Sequence, residues 1–140
     1  MRVPLSWLKD FVDIQSKPEE IANSLSMSGF EVEEIIDHSK ELEGVVIGFV
    51  NKLRPHPEAD KLKICEIDVG DEVNLQIVCG AKNIKEGIYV PVAKIGTTLN
   101  TINLVIKATK LRGIDSNGMV CSKYELGLEE YSEGIYILDD

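Results

Sequence analysis

Aromatic residues are scarce in this chain: one Trp, three Phe and four Tyr make up 6% of its 140 residues. So thin a supply argues against a surface of stacked rings, the usual platform for unpaired bases. Histidine is scarcer still, with only His38 and His56, and neither HExxH nor GxSxG nor a glycine-rich phosphate loop with a lysine occurs. A catalytic histidine needs an orienting partner and a nucleophile that the local sequence does not supply, so catalysis within these residues is not expected. The three cysteines, Cys65, Cys79 and Cys121, lie apart in apolar or small-residue surroundings without CxxC spacing. They read as buried reduced thiols rather than as metal ligands. No apolar run approaches the roughly 18 residues that span a bilayer. The opening, Met1-Arg2-Val3-Pro4-Leu5-Ser6-Trp7-Leu8-Lys9-Asp10, meets charge before any signal-like core can form, so a cytoplasmic protein without membrane contact is expected. Positive charge is also short: 15 Lys and Arg stand against 24 Asp and Glu, a net charge of −9 that excludes a generic polyanion binder.

What the chain does have is an ordinary globular balance, 44% hydrophobic and 28% charged, enough for one good core or two small ones. Its charge is unevenly placed. Over residues 82–123 the bases Lys82, Lys85, Lys94, Lys107, Lys110, Arg112 and Lys123 face only Glu86 and Asp115, whereas 124–140 holds six acids and no base. A basic stretch inside an acidic chain is either a solvated surface or a localised anion site.

Residues 1–39 and 40–140 read as two parts. In the first, Trp7, Leu8, Phe11 and Val12 form an apolar stripe that predicts a helix over 6–12 with Trp7 in its packed face. Lys17-Pro18-Glu19-Glu20 then opens a second helix, since proline and carboxylates suit a first turn, and Ser28-Gly29 ends it. Phe30, Val32, Ile35 and Ile36 alternate imperfectly with acids, which predicts a strand. Two helices and a strand bury too little to stand alone, so this small, incomplete α+β segment is expected to dock on something. The second part is mainly β, with strands expected over 45–53, 61–69, 73–79, 88–95, 102–108 and 134–138 and a helix near 122–128. Pro91 lacks a ladder donor and predicts an edge strand or a bulge. The phase switch between Ile64 and Cys65 predicts a bulge or a strand packed on both faces. So many short, bent strands point to a five-stranded Greek-key barrel of the OB type.

Two segments carry candidate binding chemistry. In the first, Arg54-Pro55-His56-Pro57-Glu58-Ala59-Asp60-Lys61, two prolines stiffen a loop that presents Arg54, His56 and Lys61. In the second, Lys107, Lys110 and Arg112 precede the turn formers Gly113, Ser116, Asn117 and Gly118. In an OB barrel the two fall where the ligand-binding loops lie, and few aromatics accompany them, so a folded RNA met through phosphate, sugar and shape fits best. Arg54, Lys61, Lys107, Lys110 and Arg112 are the candidate phosphate contacts, with His56 and Asn83 as sugar or base partners. Each has an ordinary structural alternative. The lysines can be solvated charge, Arg112 a structural ion pair, His56 a lock on its own loop and Asn83 a cap on the turn after Gly80.

Further residues carry a resemblance. They are His56-Pro57-x-Ala59-Asp60-Lys61-Leu62, Gln76-Ile77-Val78-Cys79-Gly80-Ala81-x-Asn83-Ile84, Val90-Pro91-Val92-Ala93, Lys110-Leu111-Arg112-Gly113-x-x-Ser116-x-Gly118-Met119-x-Cys121-Ser122 and Glu125-Leu126-Gly127-Leu128. Together they resemble the tRNA-binding OB domain shared by bacterial phenylalanyl-tRNA synthetase β subunits, some methionyl-tRNA synthetases and small free-standing tRNA-binding proteins. The opening Val3-Pro4-x-Ser6-Trp7-Leu8 and Met27-Ser28-Gly29-Phe30-Glu31-Val32-Glu33 resembles the phenylalanyl β subunit in particular. The resemblance implies the N-terminal piece of a longer subunit, its first 39 residues completed by later chain. It also implies phenylalanine tRNA and a catalytic α subunit as partners. ATP and Mg²⁺ are implied for the full ligase but no cofactor for this piece, because the aminoacylation site lies in the α subunit and the editing site in a later β domain. Two other readings stay open: a protein-interaction module that braces a synthetase, and a free-standing tRNA-binding protein.

Overall fold

The computed structural model describes residues 1–138, which divide into a unit over Met1–His38 and a unit from Ser39 onward. In the first, α2 (Pro18–Met27) forms as expected, while α1 (Leu5–Lys9) stops three residues short of the expected end, leaving Phe11 and Val12 beyond it. The Lys17 N–H donates to the Glu20 carboxylate (3.1 Å) with Pro18 in the first turn, and the Phe30 N–H closes the far end onto the Leu25 carbonyl (2.9 Å) past Gly29 at φ +90°. The strand expected over 30–36 is absent, because an alternating sequence defines a face but supplies no neighbour, and no described strand pairs with it. Trp7 is 55% exposed, edge-on to Phe11 with ring centroids 6.0 Å apart, so the expectation that it packs in a core is overturned. No residue of this unit is buried.

The second unit is built on β1 (Val45–His56), β2 (Ala59–Asp68), β3 (Leu75–Cys79), β4 (Tyr89–Lys94) and β9 (Gly118–Val120), antiparallel in the order β3-β2-β1-β4-β9. Three consecutive strands meander, the fourth returns to the far side of β1, and the last lies beside the fourth. That is the Greek-key order of an OB barrel. The barrel nearly closes where β3 meets the last strands: the Asn117 N–H donates to the Gln76 carbonyl (2.9 Å) and the Val78 N–H to Ser116 Oγ (3.0 Å). Inside lie Val50, Cys65, Ile67, Ile77, Val90 and Val92, none of them exposed, and a second cluster gathers Ala93, Leu99, Ile106, Cys121 and Leu126. Gly48 is required by this packing, since a Cβ there would stand 2.6 Å from Ile67 Cγ2 and 2.8 Å from Val92 Cγ2. All three cysteines are buried and unbridged, and burial pushes the Cys65 and Cys121 thiols up to about 12.

Ile64 and Cys65 are both buried while β2 keeps an unbroken register with β3, so β2 is packed on both faces. The irregularity lies in β1 instead, between Val50 and Lys52. Pro91 is not at an edge, for β4 runs between β1 and β9. Its carbonyl accepts from the Cys121 N–H (3.0 Å), and the carbonyl of Cys121, which a proline cannot serve, accepts from the Tyr136 N–H (3.0 Å). The donor missing from the ladder comes from a distant segment.

Three further expectations need correction. The strand foreseen over 102–108 shrinks to β6 (Leu104–Val105), paired with β5 (Thr98–Leu99) behind the left-handed turn at Asn103. The helix near 122–128 is a run of turns ended by Gly127 at φ +72°, its start held by the Glu125 carboxylate on Ser122 N (2.6 Å) and Oγ (2.8 Å). The strand over 134–138 is reduced to one bridge between Tyr89 and Leu138. A short hairpin, β7 (Thr109–Leu111) and β8 (Ile114–Ser116), takes the place of a plain loop.

Candidate nucleic-acid interface

Arg54, Pro55 and His56 are the end of β1 itself, and only Pro57 and Glu58 turn the chain into β2. The expected loop is therefore a hairpin tip. Prolines are tolerated there because β4 pairs only with Val45–Phe49, so this end of β1 is an edge, with a register shift between Pro55 and His56. The free edge is closed locally by the Glu86 carboxylate, which accepts from the Leu53 N–H (2.7 Å).

The second candidate segment is the β7–β8 hairpin. Leu111 pairs with Ile114, so Arg112 (φ +47°) and Gly113 (φ +83°) alone form the turn, both left-handed as in a type I′ hairpin. Arginine pays a conformational cost there that asparagine or glycine largely avoids, and its side chain is exposed at the tip. The hairpin is braced from both strands. On β8, the Gln76 side-chain N–H donates to the Asp115 carbonyl (2.8 Å), and Ser116 Oγ receives the Val78 N–H (3.0 Å). On β7, His56 Nε2 lies 3.0 Å from the Leu111 carbonyl.

These contacts bring the two candidate segments together although 55 residues separate His56 from Leu111. Arg54 is exposed and reaches Gln76 Oε1 at 3.2 Å, so Gln76 ties β1 to the hairpin. Lys110 stands 3.6 Å from Asp115, both well exposed, which leaves its charge largely unneutralised. Lys61, Lys107 and Arg112 are exposed, and their side chains make no hydrogen bond or ion pair with the described residues.

His56 and Asn83 behave differently. His56 is only 4% exposed, and both ring nitrogens are engaged, Nδ1 by the Glu58 N–H (3.1 Å) and Nε2 by Leu111. Asn83 neither caps the turn after Gly80 nor presents its amide outward. It clamps Ile135, donating to its carbonyl (2.9 Å) and accepting from its N–H (3.0 Å). The residues that sequence reasoning missed are the braces Gln76 and Ser116. Gly113 as a turn former between Leu111 and Ile114 was the available signal for the hairpin they hold.

Beside the tip, the outer face of β1, β2 and β3 forms an open groove of about 820 Å³, floored by Ile64 and Leu53. Lys52 and Arg54 line it together with the carboxylates of Glu66, Glu72 and Glu86. Three acids against two bases make the groove a poor phosphate track. At the paired hairpin tips Arg54, Lys61, Lys110 and Arg112 outnumber the exposed acids Glu58, Asp60 and Asp115, which makes the tips a better one.

The family described as "Putative tRNA binding domain" matches residues 45–140. Phenylalanine–tRNA ligase β subunits are similar across the whole chain. That of Prochlorococcus marinus (strain MIT 9313) is 54% identical over 140 residues, 100% of this chain and 17% of that protein. That of Parasynechococcus marenigrum (strain WH8102) is 54% identical over 139 residues, 99% of this chain and 17% of that protein. The chain thus spans about a sixth of the length of these curated relatives. The crystal structure of the C-terminal domain of Plasmodium vivax p43 is 31% identical, covering 54% of this chain and 43% of its own, with a TM-score of 0.44. The family match spans the whole barrel, from the first residue of β1 onward and well over half of the sequence, and by it the chain belongs to the tRNA-binding domain family.

Proposed function

We propose that the chain is the N-terminal tRNA-binding module of a phenylalanine–tRNA ligase β subunit, non-catalytic by itself and working in the cytoplasm. The observation that supports the reading is the His56–Leu111 contact, which brings the hairpin that carries Lys110 and Arg112 against the end of β1 that carries Arg54, with Lys61 and Lys107 close to these segments in sequence. These five contact phosphates through exposed ammonium and guanidinium groups. On this reading phenylalanine tRNA and a catalytic α subunit are the partners, and residues 1–39 form part of a domain completed by later chain. The exposed Trp7, Phe11 and Phe30 support that completion. On the same reading ATP and Mg²⁺ serve the full enzyme at a site outside these residues.

A second reading, a protein-binding brace within the synthetase, is favoured by Glu66, Glu72 and Glu86 in the groove. Titration of the chain with unmodified tRNA at several salt concentrations separates the two. Neutralising roughly three to five phosphates gives a slope of log K against log[salt] of about −2 to −4. Changing Lys107, Lys110 and Arg112 together to alanine is expected to weaken binding by more than about tenfold. No binding at low salt overturns the reading in favour of the brace.

A further inference from the structure

We infer that His56 is the positioning residue of the RNA-binding edge: its imidazole sets where the hairpin bearing Lys110 and Arg112 sits, without touching RNA. The inference rests on the reading above that this edge meets tRNA. A polar side chain at a hairpin tip is ordinarily hydrated, yet His56 is 4% exposed. Its Nδ1 faces the Glu58 N–H, which can only donate, so the ring proton is assigned to Nε2, which donates to the Leu111 carbonyl (3.0 Å). Leu111 lies between the two cations it positions. β7 pairs with β8 alone, and among the described residues the His56 bond is the one hydrogen bond that ties β7 to the rest of the barrel. β8 has its own anchors in Gln76 and Ser116, so without His56 β7 is held only through its pairing with β8 and has no hydrogen bond of its own to the end of β1. Lys110 and Arg112 then remain present but are less firmly placed relative to Arg54.

The two ring nitrogens can be tested separately. In His56→Gln the side-chain amide nitrogen reaches the place of Nε2 and keeps the Leu111 bond. In His56→Asn the side-chain oxygen stands at the place of Nδ1, keeps the Glu58 bond and stops short of Leu111. The two variants have the same net charge, and a cooperative thermal transition in both establishes that they fold. Binding of unmodified tRNA by the 140-residue chain is expected to stay within about threefold of the parent in His56→Gln and to fall by about five- to tenfold in His56→Asn. The salt slope should flatten in the latter, because fewer cations engage at once. Arg112→Ala should cost less in the His56→Asn background than in the parent. Equal affinity of the two variants, or an Arg112→Ala loss identical in both backgrounds, overturns the inference. Hydrogen exchange tests the latch without RNA. Amides of residues 109–116 should exchange faster in His56→Asn than in His56→Gln, and equal protection overturns the latch even where tRNA binds. Loss of the latch with no tRNA binding by the parent would instead overturn the functional reading and leave the latch standing.

Discussion

The unit over Met1–His38 and the barrel unit use local sequence signals equally well and end in different places. In the first, a proline-led first turn, a carboxylate that caps the Lys17 N–H and a glycine stop define α2. Yet nothing there is buried, and Phe11 is 73% exposed. In the barrel, Pro55 and Pro91 stand inside strands and Arg112 adopts a left-handed turn, all locally unfavourable, yet two clusters of apolar side chains close. Local propensity shapes an element, and burial decides whether it is held. Helix caps are worth about 1 kcal/mol each, a sum that a few buried branched side chains exceed.

The contrast breaks most visibly at Ile67, which is fully buried at the centre of the barrel with a neighbouring strand on each side. Ile67→Ala is expected to destabilise the barrel by roughly 2–5 kcal/mol in equilibrium denaturation, since a rigid β surround cannot collapse into the cavity. A loss below about 1 kcal/mol would show that the barrel is no better packed than the helical unit. A smaller effect is expected at Asn83, which is only half-buried but serves both backbone groups of Ile135. Asn83→Ala removes two hydrogen bonds, at a cost of roughly 1–3 kcal/mol, and should free the amides of residues 134–138 to exchange before global unfolding. Unchanged exchange there would mean that Tyr136 and Leu138, bonded to Cys121 and Tyr89, hold the segment without the clamp.

What could be read in the sequence follows the range of the interactions involved. The alternation of Val73, Leu75, Ile77 and Cys79 marks the buried face of β3 within a few residues, although Val73 itself precedes the strand and is 75% exposed, and the N-terminal cap of α2 lies within four. The Greek-key barrel was legible on that basis. Pro91 misled, because its compensation comes from Tyr136, far along the chain, and no property of the proline announces it. The cations of the candidate edge were legible as types, because charge is visible one residue at a time. His56 was legible as a lock on its own loop, which the Glu58 N–H on Nδ1 supplies, but its contact with the Leu111 carbonyl was not, since a backbone carbonyl has no sequence signature. The contact of Asn83 with Ile135 was hidden for the same reason, its partner being a backbone. Residues 30–36 failed in the opposite direction: their alternation is real, but a strand exists only where a second strand answers it.

Trp7 gives the smallest expected effect. As the only tryptophan and the largest side chain of the helical unit, it would be among the costliest residues to remove from a packed core, at about 3–5 kcal/mol. Its indole, however, is more than half exposed, and its ring contact among the described residues is one edge-on approach to Phe11, itself mostly in solvent. Trp7→Ala should therefore change the denaturation midpoint of the 140-residue chain by no more than the equivalent of about 0.5 kcal/mol. The same exposure predicts that the emission of Trp7 already lies at the red, hydrated end in the native chain and moves little on unfolding. A blue-shifted native emission, or a loss comparable with that of Ile67→Ala, would mean that the indole is packed in solution, and the difference between the two units would then be one of degree.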